Sequence, residues 1–370
     1  MRHSTYLEIN LGLLAKNFNL IRTLAPKAEV IPMVKADAYG NGMIPISQFL
    51  VGDCGARVLG CASLGEAIYL MRECPDLKAE ILVFSDTEMY NPEARDAYQS
   101  FNIHPVLHNK QDLDLYLKDK FFATKPVVIK INTGMNRLGL SEMDIMEYLP
   151  YLKNRGIEHL MTHFARSSQH LRSDDKTHRQ FSEFIKIKKN LIDAGIEVRK
   201  TSVANSGAIE QQYGIEETYV RPGLMLYGPP SVTEPIQWNG NQISRWVSRV
   251  ISTFQVKKGT PVGYGVNVAD KDSFMAILPI GYGDGFLTYF SGTKIKINGI
   301  EGKIFGRINM DMTFVQFDPA AENKIKNGDL VEIWNNDNRT INDLAVQSGT
   351  HAYQLMCAVS NRIPRIYKVK

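Results

Sequence analysis

The sequence predicts an α/β fold: a (β/α)8 TIM-type barrel over residues 1–235, followed by a mostly β C-terminal domain over 236–370. Three observations predict it. Apolar strand-like runs alternate with helix-period segments eight times between Tyr6 and Gly228. Beyond about Pro235 the texture changes to short alternating runs broken by glycine-rich turns. Finally, 370 residues exceed one ordinary small domain but suit a large α/β domain with a smaller companion.

Taken in order, "GLLAKNFNLIRTLA" sets the helical pattern, with Leu14, Phe18, Ile21 and Ala25 on one face. The strand-like runs are 30–34, 57–62, 80–84, 102–107, 126–132, 157–163, 197–204 and 218–227. A doubly wound open sheet is the rival arrangement of the same units. The β domain is read from "VSRVISTFQV", "SFMAILPI", "TKIKI", "GKIFGRI", "MTFVQF" and "DLVEIW", with one helix-like piece, "INDLAVQSG".

Net charge is only +4, and basic residues cluster only in short pieces such as "KIKKN", a solvated helix face, so nucleic acid is not an expected partner. The chain has no long apolar span, and its N-terminus lacks an h-region and a cleavage site. A cytoplasmic, unprocessed protein that does not enter the membrane is expected. Cys54, Cys61, Cys74 and Cys357 show no CxxC spacing and make no metal set with the eight histidines; they read as reduced thiols in packed positions, with no metal site.

A barrel of this kind places its chemistry where the strands run out. Strand one ends on Lys35, with Tyr39 after it. Strand five carries Lys130, and Arg137 follows it. Strand six ends on His163, strand seven on Asn205, Ser206 and Gly207, and strand eight carries Arg221 and Gly223. Singly, each has an ordinary reading: a solvated strand-end lysine, a turn at "NSG", ion-paired arginines, a core histidine. Together, the loops after strands seven and eight supply a hydroxyl, small residues and backbone N–H groups, which is what a phosphate monoester needs. A lysine facing such a site suggests pyridoxal 5′-phosphate (PLP), held by its phosphate and by a Schiff base.

The stretches "VIPMVKADAYGNG", "KINTGMNRLGL", "MTHFA", "ANSGA", "RPGLMLYG", "VGYGVNV", "LPIGYGDG" and "GRINMDMT", in that order over nearly the whole chain, closely resemble alanine racemase. The resemblance implies a PLP-dependent racemisation of L- and D-alanine that supplies D-alanine for peptidoglycan, in a homodimer whose sites are shared between subunits. It implies that Lys35 carries the cofactor, that Tyr39, Ser206, the backbone of Gly223 and Leu224, and Tyr353 hold its phosphate, and that Asn205 is a further cofactor-binding residue. Arg137 matches the arginine beside the phenolic oxygen and the substrate carboxylate, and Lys130 the lysine that is carbamylated in many members. Arg221 matches the group facing the pyridine nitrogen, and His163 the link to a second base, Tyr264. Met310 and Asp311 match the pair beside the substrate carboxylate, and Tyr282 with Tyr353 the aromatic gate. One departure is Asn41, where the familiar stretch usually has histidine.

These residue types suit the chemistry. Removing a proton from one face and returning one to the other requires two bases, Lys35 and Tyr264. A phenol of ordinary pKa about 10 is a poor base at neutral pH, so a cationic neighbourhood of His163 and Arg221 is expected around it. Arginine, with a pKa above about 12, does not surrender its proton to a pyridine nitrogen, which leaves a weaker electron sink suited to reprotonation. The alternatives are a broader-specificity amino-acid racemase, a fold-type III decarboxylase and a non-catalytic PLP carrier. The decarboxylase calls for a carboxylate where Arg221 stands, and the carrier for a chain without the β domain.

Overall fold

The computed structural model describes residues 3–169, 171, 176–232, 238–265, 267–336 and 339–369. The chain forms two compact units. One comprises Ala15–Ala38 and Met43–Gly240; the other comprises Met1–Leu14, Tyr39–Gly42 and Asn241–Lys370.

The first unit is the barrel. Its strands, Glu29–Val30, Val58–Ser63, Glu80–Asp86, Ile103–Leu107, Val128–Lys130, Ile157–Met161, Val198–Asn205 and Tyr219–Arg221, are all parallel to their neighbours. Each pairs with the next in sequence except that Glu29–Val30 pairs with Tyr219–Arg221. The ring closes where Met33 bridges Gly60: Gly60 N–H donates to Pro32 O, and Val34 N–H to Gly60 O, both at 2.9 Å. The Met33 side chain packs over Gly60, where a Cβ would lie 2.5 Å from its Sδ and would force it to shift. Ile31, Val58, Leu82, Val106, Val128, Met161 and Tyr219 form one buried cluster, contributed on or beside seven of the eight strands. Removing their apolar area from water, worth about 25 cal/mol per Å2, stabilises the barrel interior.

Short polar side chains turn several strands into the following helices. Ser63 Oγ accepts from Glu66 N–H to open Leu64–Glu73, Asn109 caps Lys110–Lys118, and Asn205 caps Ser206–Glu210.

The second unit is built on a nine-stranded sheet. It contains every β run expected beyond residue 240, the expected helix at Ile341–Gln347, and two elements not anticipated, the helix Ala352–Ala358 and the strand Arg365–Lys368. The chain does not divide by a single cut. Tyr6–Asn10 lies in this sheet, antiparallel to Ser244–Arg249 and parallel to Arg365–Lys368, and Tyr39–Gly42 also belongs to the unit. The pattern of "YLEIN" explains it: Leu7 and Ile9 are buried while the residues between them are partly exposed, as in a sheet with one covered face. The boundary expected at 235/236 lies outside the described residues.

Cys61 and Cys74 are buried and Cys54 is half-buried, but Cys357 is exposed, contrary to the packed position expected. No helix among the described residues is long and apolar enough to cross a membrane.

Candidate active site

Lys35 opens a helical turn, Lys35–Gly40, that is wound left-handed: φ is 51°, 53°, 52° and 55° at Ala36, Asp37, Ala38 and Tyr39. Each L-residue in that conformation costs about 1–2 kcal/mol, so the turn needs bracing. Glu66 supplies part of it, accepting from Ala36 N–H and Ala62 N–H, both at 2.7 Å, and Asp37 Oδ1 accepts from Met43 N–H at 2.7 Å. The turn carries the chain from Lys35 to Tyr39, whose ring lies 6.1 Å from that of Tyr353. Asn41 is buried, with its Nδ2 donating to Tyr39 O at 3.2 Å and its own carbonyl accepting from Tyr367 Oη at 3.0 Å.

In the barrel unit, four cationic side chains bear on His163: Arg221, Lys130, Arg137 and Lys35. Burial is the larger effect, and together they hold the imidazole well below its usual range, so it is neutral at physiological pH. The expectation that His163 is part of a cationic neighbourhood is therefore corrected; the arginines and lysines supply the charge. Burial, then Arg221, Arg137 and Lys35, push the Lys130 ammonium down to about 8. Burial pushes the Arg221 guanidinium down to about 9, below the value expected from sequence but still charged at neutral pH.

Among the described residues, the hydrogen bonds of Arg221 go to neutral partners: the Ser202 hydroxyl and the carbonyls of Thr162 and Val203. Ser202 Oγ is also 2.7 Å from His159 Nε2. Arg137 is exposed, on a loop pinned by Asn132 N–H to Leu140 O and Leu140 N–H to Lys130 O, both at 2.9 Å. Gly139, at φ 135°, passes so close to the chain that a Cβ would sit 2.6 Å from Asn132 N.

At the ends of strands seven and eight, Ser206 Oγ accepts from Gly223 N–H at 2.9 Å and from Met225 N–H at 3.4 Å. Leu224 begins the 3-10 turn Leu224–Tyr227. Asn205 Oδ1 accepts from Ser167 Oγ at 2.5 Å, and its Nδ2 lies 3.5 Å from His163 Nε2.

The remaining candidates lie on the β unit. Tyr264, Tyr282, Met310 and Tyr353 are 69%, 45%, 53% and 42% exposed, unusually open for side chains of this kind. Tyr282 and Met310 are neighbours, since Tyr282 N–H donates to Asn309 O and Gly283 N–H to Met310 O, both at 3.0 Å. Asp311 is held by Arg362 at 2.7 Å. Sequence reasoning missed Ser202, His159, Glu66 and Arg362; each acts on another residue, and no motif marks that.

Two family models match the chain: the alanine racemase N-terminal domain over residues 9–230 and the alanine racemase C-terminal domain over 243–367. The chain belongs to the alanine racemase family. It is 33% identical to alanine racemase of Carboxydothermus hydrogenoformans, an alignment covering 97% of this chain and 98% of that one, and 30% identical to that of Halothermothrix orenii, covering 99% and 97%. The structure of alanine racemase from Acinetobacter baumannii superimposes with a TM-score of 0.83 at 28% identity, covering 99% of this chain and 100% of that one. Membership of the alanine racemase family makes the protein an isomerase, and its barrel with a following β domain is the architecture of that family's structures.

Proposed function

We propose that the protein interconverts L- and D-alanine with PLP, using Lys35 and Tyr264 as bases on opposite faces of the substrate. The observation that carries the reading is the cluster of Lys35, Lys130, Arg137, His163 and Arg221 in the barrel that also joins Ser206 to Gly223. The donor set fits the cofactor. A hydroxyl and the N–H groups at the start of a 3-10 turn suit a phosphate, and a buried guanidinium with neutral partners only suits a ring nitrogen that has to stay unprotonated. Tyr39, Asn205, Ser206, Gly223, Leu224 and Tyr353 would hold the phosphate end, and Lys35 would bind the aldehyde. When bound, PLP supplies a conjugated electron sink that acidifies the α-proton.

The chain's own groups do the rest. Arg137 and Met310, with Asp311, orient the substrate carboxylate, and Tyr282 limits entry. Lys35 takes or returns the proton on one face and Tyr264 on the other. His163, neutral, is suited to relay a hydrogen bond rather than to supply charge. Lys130 reacts through its neutral amine: nitrogen adds to the carbon of CO2 and a proton leaves to solvent, forming a carbamate that pairs with Arg137.

Tyr264, Tyr282 and Met310 are exposed on the β unit, and aromatic and methionine side chains left open in this way suit a subunit contact. The assembly proposed is a homodimer in which Tyr264 serves the partner's Lys35. Because enantiomers have equal free energy, the net direction follows consumption, here of D-alanine by peptidoglycan synthesis in the cytoplasm. A chiral assay over a panel of L- and D-amino acids, together with the visible spectrum, tests the reading. Alanine should be the preferred substrate, with serine slower, since one added group shifts binding by about 1–3 kcal/mol; absence of racemisation by a coloured, folded protein rejects it.

A further inference from the structure

We propose that His159 is a positioning residue for Arg221: a neutral imidazole, bare at Nε2, accepts the Ser202 hydroxyl proton and so fixes the oxygen on which the guanidinium rests. That role rests on the reading that PLP binds here with Arg221 at its ring nitrogen, and His159 acts only through Ser202. Three neighbouring strands contribute one member each: His159 lies on Ile157–Met161, Ser202 on Val198–Asn205 and Arg221 on Tyr219–Arg221. All three residues are buried. Ser202 Oγ lies 2.7 Å from His159 Nε2 and accepts from Arg221 Nη1; among the described residues these are its hydrogen-bond partners.

The direction of these bonds follows from what each group can give. A guanidinium can only donate, so Arg221 N–H takes a lone pair of Ser202 Oγ, and the hydroxyl proton goes to Nε2. An imidazole protonated at Nε2 would aim a second donor at the same oxygen and leave the hydroxyl proton buried without an acceptor, which is costly. The surroundings keep the ring neutral: burial, then the charges of Arg221 and Lys200, hold His159 well below its usual range. The Tyr219 ring, its centre 5.2 Å from that of His159, packs against it. Arg221 Nη2 is held by the carbonyls of Thr162 and Val203, so both tips of the fork are tied. Nε makes no hydrogen bond among the described residues and is the donor left for a ring nitrogen. Donation along the row also polarises it, since the cation strengthens the Ser202 hydroxyl as a donor. Without Nε2 the hydroxyl is free to turn, and one tip of the fork loses its fixed acceptor.

Nitrogen-15 NMR of the histidine-labelled holoenzyme tests the tautomer, the His159 signals being those lost in His159→Gln. A bare Nε2 and a protonated Nδ1 are expected; a protonated Nε2 overturns the role. This readout does not depend on racemisation, so it fails separately from the PLP reading. In turnover, His159→Leu keeps bulk and removes the acceptor. Its kcat should fall roughly tenfold with KM little changed, and keto-acid release per racemisation should rise, because a ring nitrogen less firmly met by Arg221 can pick up a proton. His159→Gln, whose Oε1 can accept from Ser202, should recover part of both. Adding Ser202→Ala to His159→Leu should cost little further, since both break the same contact. A folded His159→Leu protein with the wild-type kcat and keto-acid fraction, a Gln variant no better than the Leu variant, or a double variant whose losses equal the sum of the singles would show that His159 does not act through Ser202.

Discussion

Arg221 donates a hydrogen bond to the Ser202 hydroxyl, so a buried cation is held by a neutral side chain rather than by a carboxylate. This matters for the electronics of the site. A cation that keeps its proton leaves a pyridine nitrogen bare, whereas an acid would share a proton with it. Arg221→Glu should lower racemisation and raise transamination, read as keto-acid release and a longer-lived absorbance change with substrate. An unchanged spectrum with substrate, in a folded variant, would contradict the role given to Arg221. Ser202→Ala should cost about 1.5–3 kcal/mol of stability, since it removes an acceptor from a buried charge, and denaturant unfolding measures it.

Lys130 becomes increasingly neutral as pH rises toward about 8. At fixed dissolved CO2 its carbamate should therefore increase with pH over this range, because only the neutral amine reacts. The same displaced titration makes folding stability rise with pH between about 8 and the ordinary lysine value of 10.5, where the unfolded chain binds the additional proton. Carbon-13 NMR with labelled bicarbonate reads the carbamate directly. No carbamate signal in wild type, or an equal signal in Lys130→Ala, would show that this lysine is not the modified group.

Gly40 stands at φ 77°, and a Cβ there would lie 2.1 Å from Met356 O. Gly40→Ala should destabilise the protein by about 2–4 kcal/mol, combining the strain of the left-handed turn with a backbone clash. A denaturation midpoint indistinguishable from wild type would mean that the turn after Lys35 is not held as described.

A shared site makes a distinct prediction for mixed subunits. Lys35→Ala and Tyr264→Phe chains, each inactive alone, should regain activity after exchange, because one site of each mixed dimer is intact. Random exchange of equal amounts makes about half the dimers mixed, so recovery should approach about a quarter of wild-type sites. Exchange verified by mass spectrometry with no recovered activity would place both bases in one chain.

Much of this architecture is legible in the sequence because barrel strands are continuous apolar runs that end on chemistry. Lys35, Lys130, His163, Ser206 and Arg221 stand out for that reason, and all eight expected runs hold a strand. Tyr6–Asn10 falls within the range given to the barrel but lies in the sheet of the other unit; a strand's own alternation says how many of its faces are covered, not which partners cover them. Ser202 and Glu66 carry no signal, since their importance lies in whom they bond. The neutrality of His163 is equally unreadable: it depends on burial and on four cations brought from distant parts of the chain. Cys357 is exposed because Ala352, Leu355 and Met356 form the buried face of its short helix, a periodicity too brief to read with certainty from seven residues.

The most direct test of two bases on opposite faces is the first turnover in D2O, starting from protiated L-alanine and separately from D-alanine. With Lys35 and Tyr264 each holding its own proton, the product enantiomer should carry deuterium at Cα while the unreacted substrate stays protiated. Borohydride reduction in parallel should place the pyridoxyl group on Lys35. Transfer of the substrate's own proton to the product, or a pyridoxyl group on another lysine, would contradict the mechanism.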